Sequence, residues 1–196
     1  MCIRNTLNSY GVVAKGFHWL MALLIISVLI VGLLLEDYEN TPDFLKLIGL
    51  HKEFGILVLM LAVLRLGWKV LDISPSLPAS MSAASKLAAK LGHFGLYALM
   101  FAMPISGWIV SSAAGYPVSF FGLFVLPDLV AVNKDFSHDV KELHELFANA
   151  LMGLLALHVL AALLHHFYYR DNILTRMLPN FGKKSDVQIS DISTGC

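Results

Sequence analysis

Long apolar runs broken by short polar connections set the pattern of this chain. The first run covers about Phe17 to Leu35 and stops at Glu36-Asp37-Tyr38-Glu39. It is too long for the apolar segment of a signal peptide, and no small-residue cleavage site follows, so it reads as a retained transmembrane helix. Thr41-Pro42-Asp43 then offers a cap and a first-turn proline. A second helix is expected over about Phe44 to Val70, with Arg65 near its far end. Pro75, Pro78 and several serines mark residues 71–85 as a loop. A third helix is expected over about Lys86 to Ser112, kinked by Pro104 and Gly107, which membrane bundles tolerate when neighbours satisfy the freed carbonyl. Gly115, Pro117, Gly122 and Pro127 break the pattern in residues 113–135. The aromatic-apolar stretch Phe120 to Leu126 is too short to span and is expected at the interface, as a cap over the bundle. The fourth helix is expected over about His138 to Tyr169.

Composition turns these runs into a class. Of 196 residues, 57% are hydrophobic and 14% charged, where a soluble domain carries roughly 25% charge. Mean hydropathy is +0.71. The expectation is an all-α integral membrane protein, a four-helix bundle over residues 1–180 with a polar cytoplasmic tail at 181–196. A formal net charge of zero argues against a nucleic-acid partner. Four spans place both termini on one side. Arg4, Lys15, Lys69, Lys86, Lys90, Arg170, Arg176, Lys183 and Lys184 fall there, and only Lys46, Lys52, Lys134 and Lys141 fall on the other. The excess of cations puts both termini in the cytoplasm and the loops after helices 1 and 3 outside.

The chemistry lies in the histidines. His144, His158 and His165 are spaced by 14 and 7 residues, close to whole turns, so they share one helix face within about 60°. His158 lies about 21 Å along the axis from His144, and His165 about 10 Å further. An imidazole in hydrocarbon must hydrogen-bond, ligate or destabilise. Counting from helix ends places His51 and His144 at the outer level and His18 and His158 at the inner level. Facing imidazoles on neighbouring helices suit six-coordinate b-type haem iron, with the macrocycle held among apolar side chains. Zinc would gather its ligands at one depth, and these are split between two. There is no C-x-x-C-H, and Cys2 and Cys196 are both terminal, which excludes covalent haem attachment and a cysteine-held cluster. Two non-covalent haem b groups are expected. Arg65 falls on the His51 face at the inner level, where it can neutralise a haem propionate or snorkel to the headgroups. His93 and His165 stand near the cytoplasmic face and are natural partners for a quinone headgroup. His138 reads as a solvated residue of the outer helix cap.

These elements resemble the bacterial di-haem cytochrome b561 family from Gly16 to Pro179. The matching pieces are His18-Trp19, His51, the run Leu57 to Leu64 (L-x-L-M-x-x-x-x) followed by Arg65, Leu91-Gly92-His93, Pro104-x-x-Gly107 and Lys141-x-x-His144-Glu145. The ending Leu157-His158 to His165-His166, then Arg170-Asp171-Asn172 to Pro179, completes them. The resemblance implies a bacterial inner-membrane protein whose two b haems are ligated by His18, His51, His144 and His158. It also implies a ubiquinone site at the cytoplasmic end, near His93 and His165, and electron transfer across the bilayer. Superoxide is the favoured outer donor, because similar proteins oxidise it. As an anion it would be steered by Lys52, Lys134 and Lys141. The alternative is a haem-b anchor subunit passing electrons between quinone and a soluble dehydrogenase- or hydrogenase-type partner docked on the outer loop.

Overall fold

The computed structural model describes residues 2–78 and 81–179. The expected tail at 181–196, with Lys183 and Lys184, lies outside the described residues. The chain forms α1 (Val12–Tyr38), α2 (Phe44–Leu71), α3 (Ala83–Ala114), strands β1 (Val118–Phe120) and β2 (Phe124–Leu126), and α4 (Lys134–Leu164). A π-helical turn (His165–Tyr169) and a short α5 (Ile173–Met177) follow. Helices α1 to α3, and α4 with its π turn, are long and apolar enough to cross a bilayer.

Three helices run further than the apolar pattern alone suggests, because caps rather than hydropathy end them. Helix α1 begins at Val12, and its Lys15 Nζ reaches the Leu178 carbonyl at 2.9 Å, so a cation is accommodated in the first turn. Helix α3 starts behind Ser82, whose hydroxyl accepts the Ser85 N–H at 3.1 Å. It stops at Gly115, which adopts the left-handed conformation (φ 81°) that glycine enters without strain. Pro104 lies within α3 without ending it. Helix α4 begins at Lys134 instead of near His138, because the Asn133 side chain accepts the Phe136 N–H at 3.0 Å.

The aromatic stretch, expected as a cap too short to span, folds as a β-hairpin. Its strands pair Val118 with Leu126, Ser119 with Val125 and Phe120 with Phe124. The turn is made by Phe121 (φ 50°) and Gly122 (φ 70°). The hairpin sits on α2, with Phe121 edge-on to Phe54 at 5.2 Å and the Lys52 ammonium donating to the Pro117 carbonyl at 3.0 Å.

In the bundle α3 packs against α4, α1 against α2, and α2 against α3, whereas α1 and α4 make few or no close backbone contacts. A compact cluster of Met21, Val58, Ala62 and Met100 forms the centre. Leu23, Val63 and Leu160 are examples of the large apolar side chains that remain exposed outside the two cavities. In a bilayer those side chains meet lipid, so close packing of small residues and polar contacts, rather than water exclusion, holds the helices together.

Candidate functional site

Helix packing brings the histidines together in two groups. At one end His51 of α2 and His144 of α4 face each other with ring centroids 6.3 Å apart. At the other end His18 of α1 and His158 of α4 are 6.1 Å apart. Two axial imidazoles on one metal ion, each bonded at about 2 Å, put their ring centroids about 6 Å apart. Both pairs therefore have the spacing that a bis-histidine haem requires.

The first pair borders a cavity of about 480 Å³. Glycines make room for both rings. A Cβ on Gly32 would stand 2.9 Å from His51 Cε1, and one on Gly107 would stand 3.1 Å from His144 Cε1. The His144 Nδ1 is 2.8 Å from the Ser106 hydroxyl, while the His51 Nδ1 is buried without a hydrogen bond of ordinary geometry. Lys52 and Lys141 line this cavity, together with Glu36, Glu39 and Glu145. Lys141 lies 3.6 Å from Glu145, so part of its charge is answered locally. Lys134 does not join them. The early start of α4 puts it, exposed, in the first helical turn, outside the lining.

The second pair borders a larger cavity of about 740 Å³. Arg65 enters it and places Nη2 3.3 Å from His18 Nδ1. It also lies 5.6 Å from the centre of the Tyr97 ring, over which Lys69 stands at 4.3 Å. Arg65 is thus turned into the bundle, towards His18 and Tyr97. His93 and His165 line the same cavity. His93 is closer to the pair than counting along the helix suggests: its ring centroid is 5.4 Å from that of His158, and its Nδ1 bonds the Ala89 carbonyl at 2.7 Å. His165 is 2.5 Å from Asp171 Oδ2, and both side chains are largely buried. Asp171 is brought back by the π turn and by Arg170 in the left-handed region (φ 52°). Among the described residues, no aspartate or glutamate lines this cavity, whereas Arg65, Lys69 and Arg176 do. His138 is exposed and lies 3.7 Å from Glu142, away from both cavities.

Sequence reasoning missed Gly32, Gly107, Ser106 and Asp171 as parts of the site. The glycines and the serine act through the register of neighbouring helices, which one sequence does not display. Asp171 had a visible signal, a carboxylate six residues after a histidine, but only the π turn makes that spacing a contact.

The donor set fits haem b: imidazoles in facing pairs, apolar walls, and cations within each cavity for propionates. Four spanning helices with a histidine pair at each end define a membrane electron-transfer cytochrome. A profile of the prokaryotic cytochrome b561 family matches residues 9–180. The chain is 38% identical over 192 residues to cytochrome b561 homolog 2 of Escherichia coli (strain K12), covering 94% of this chain and 97% of that protein. It is 33% identical over 176 residues to a probable superoxide oxidase, CybB, of Yersinia pestis, covering 88% of this chain and 97% of that one. Cytochrome b561 homolog 1 of Escherichia coli (strain K12) is 31% identical over 175 residues. The chain belongs to the prokaryotic cytochrome b561 family: a haem-b-binding, multi-pass inner-membrane oxidoreductase of electron transport.

Proposed function

We propose that this protein carries electrons from superoxide at the outer face to ubiquinone at the cytoplasmic face, with two haem b groups held by His51 with His144 and by His18 with His158. Both termini are cytoplasmic in this reading, which the excess of Lys and Arg on the terminal side supports. The observation that carries it is the presence of two histidine pairs, each at haem spacing, at opposite ends of one bundle. When bound, haem b supplies reversible one-electron chemistry, which matches a one-electron donor to a two-electron acceptor. In the balanced reaction, two superoxide anions each lose one electron to become dioxygen, and one quinone gains two electrons and two protons.

The side chains divide that work. Lys52 and Lys141 attract the anionic donor against the opposing field of Glu36, Glu39 and Glu145. Arg65, with Lys69 beside it, neutralises propionate charge at the inner site. His165 donates a hydrogen bond to a quinone carbonyl, and Asp171 holds its Nδ1 side in place. His93 stands across the same cavity, with its Nδ1 committed to the backbone and Nε2 available. The 33% identity to a probable superoxide oxidase supports superoxide as the donor.

The test is made on detergent-purified protein. Haem counted per chain, with oxidised and dithionite-reduced spectra, should give two low-spin b haems. Superoxide generated enzymatically should then reduce a ubiquinone analogue only in the presence of the protein. One haem per chain would overturn the ligand pairs, and no quinone reduction by a fully haem-loaded protein would overturn superoxide as donor. The second reading, a haem-b anchor subunit with a soluble redox partner, draws on the hairpin tip, where Leu123 and Val125 are 76% and 62% exposed. It predicts co-purification of that partner and no turnover by the isolated chain.

A further inference from the structure

Ser106 is only 4% exposed, yet its hydroxyl has two partners. Oγ lies 2.9 Å from the Met103 carbonyl oxygen and 2.8 Å from His144 Nδ1. A hydroxyl has one hydrogen to give and lone pairs to receive. A carbonyl oxygen only receives, so the Ser106 hydrogen goes to Met103 and the ring must supply the other. His144 then carries its N–H on Nδ1 and keeps the lone pair on Nε2. The opposite arrangement would put a donor N–H on Nε2, and a nitrogen that carries hydrogen binds no metal ion.

The next residue completes the cradle. Gly107 lacks the Cβ that would stand 3.1 Å from His144 Cε1, so the ring lies flush against α3 while Ser106 holds its edge. None of the other paired histidines is held this way. His51 Nδ1 is buried without a hydrogen bond of ordinary geometry, and His18 Nδ1 faces the Arg65 guanidinium at 3.3 Å.

We infer that Ser106 is a positioning residue for the outer haem: it fixes the tautomer of His144 so that Nε2 is the iron-binding atom, and it tunes that haem alone. This rests on the proposed ligand role of His144. An Nδ1–H engaged by an acceptor makes the imidazole a better donor to iron and favours the ferric state. Because the Ser106 hydroxyl is itself polarised by the Met103 carbonyl, the three groups act as one relay.

The experiment is a redox titration of both haems, with haem content, in wild-type protein, Ser106→Ala and Ser106→Thr. Ser106→Ala is expected to weaken outer haem binding by about 10-fold, within the range for loss of a partner that orients a metal ligand. If that loss falls on the ferric form, the outer midpoint potential rises by about 59 mV for a one-electron couple. The inner haem keeps its potential, and Ser106→Thr, which retains the hydroxyl, restores the wild-type value. Unchanged potentials with full haem content in Ser106→Ala overturn the inference, as does an equal shift of both haems. Should Ser106→Ala fail to fold, Ser106→Cys, close in size and a poor acceptor, decides by the same two readings. His144→Ala separates this inference from its foundation: if that variant keeps both haems, the ligand assignment itself fails.

Discussion

The two ends of this bundle each set two imidazoles face to face, yet surround them differently. The outer cavity is the smaller, about 480 Å³ against about 740 Å³. Two glycines and a serine shape it tightly around two rings, and its three glutamates outnumber its two lysines. The inner cavity adds His93 and His165 to its pair and is lined by three fixed cations with no carboxylate among the described residues. If each pair held a haem with its two propionates, three cations would leave positive charge to spare at the inner end and none at the outer. The difference teaches that charge and spare volume, rather than the histidine pair, tell the two ends apart; under the proposed function they would set an electron entry point against a site that also takes a quinone.

The comparison breaks most sharply if single ligands are removed. His158→Ala is expected to abolish quinone reduction and to cost the inner haem, while His144→Ala costs the outer haem and leaves the inner one reducible by quinol. Haem stoichiometry and quinol-driven reduction, measured on both variants, check this; loss of both haems from either would mean that the two ends are not independent. A smaller effect is expected from the inner end's proton chemistry. Asp171→Asn should lower the turnover number for quinone reduction by about 100-fold, the lower range for a lost general acid, with both haem spectra intact. A change in haem content instead would make Asp171 structural. The smallest effect belongs to the outer lysines. Lys52→Gln with Lys141→Gln should slow the superoxide reaction by about 10-fold at low salt and less at high salt. Lys134→Gln should leave it unchanged, since that residue is outside the outer cavity.

The legible parts of this protein are those governed by length and period. Long apolar runs read directly as spans, and steps of 14 and 7 residues placed His144, His158 and His165 on one face before any helix was seen. Helix ends were harder, since Asn133, Ser82 and Gly115 act through single hydrogen bonds or a single backbone angle that hydropathy does not register. The hairpin formed by the stretch expected as a cap was not legible for a related reason. Alternation over three residues is too short a signal, and the hairpin depends on positive φ at Phe121 and Gly122. Lys134 stands outside the lining of the outer cavity, and counting charges on one side of a membrane does not tell which of them face a cavity.

The loose seam between the first and last helices has a consequence for manufacture. Helices α1 and α4 make few or no close backbone contacts with each other, yet His18 and His158 face one another across that seam. A prosthetic group bridging them would also be the mortar between two walls. Anything that binds only the folded state stabilises it in proportion to the logarithm of its concentration. The cell's supply of that group would then set how much of this chain survives quality control, as well as how fast it works.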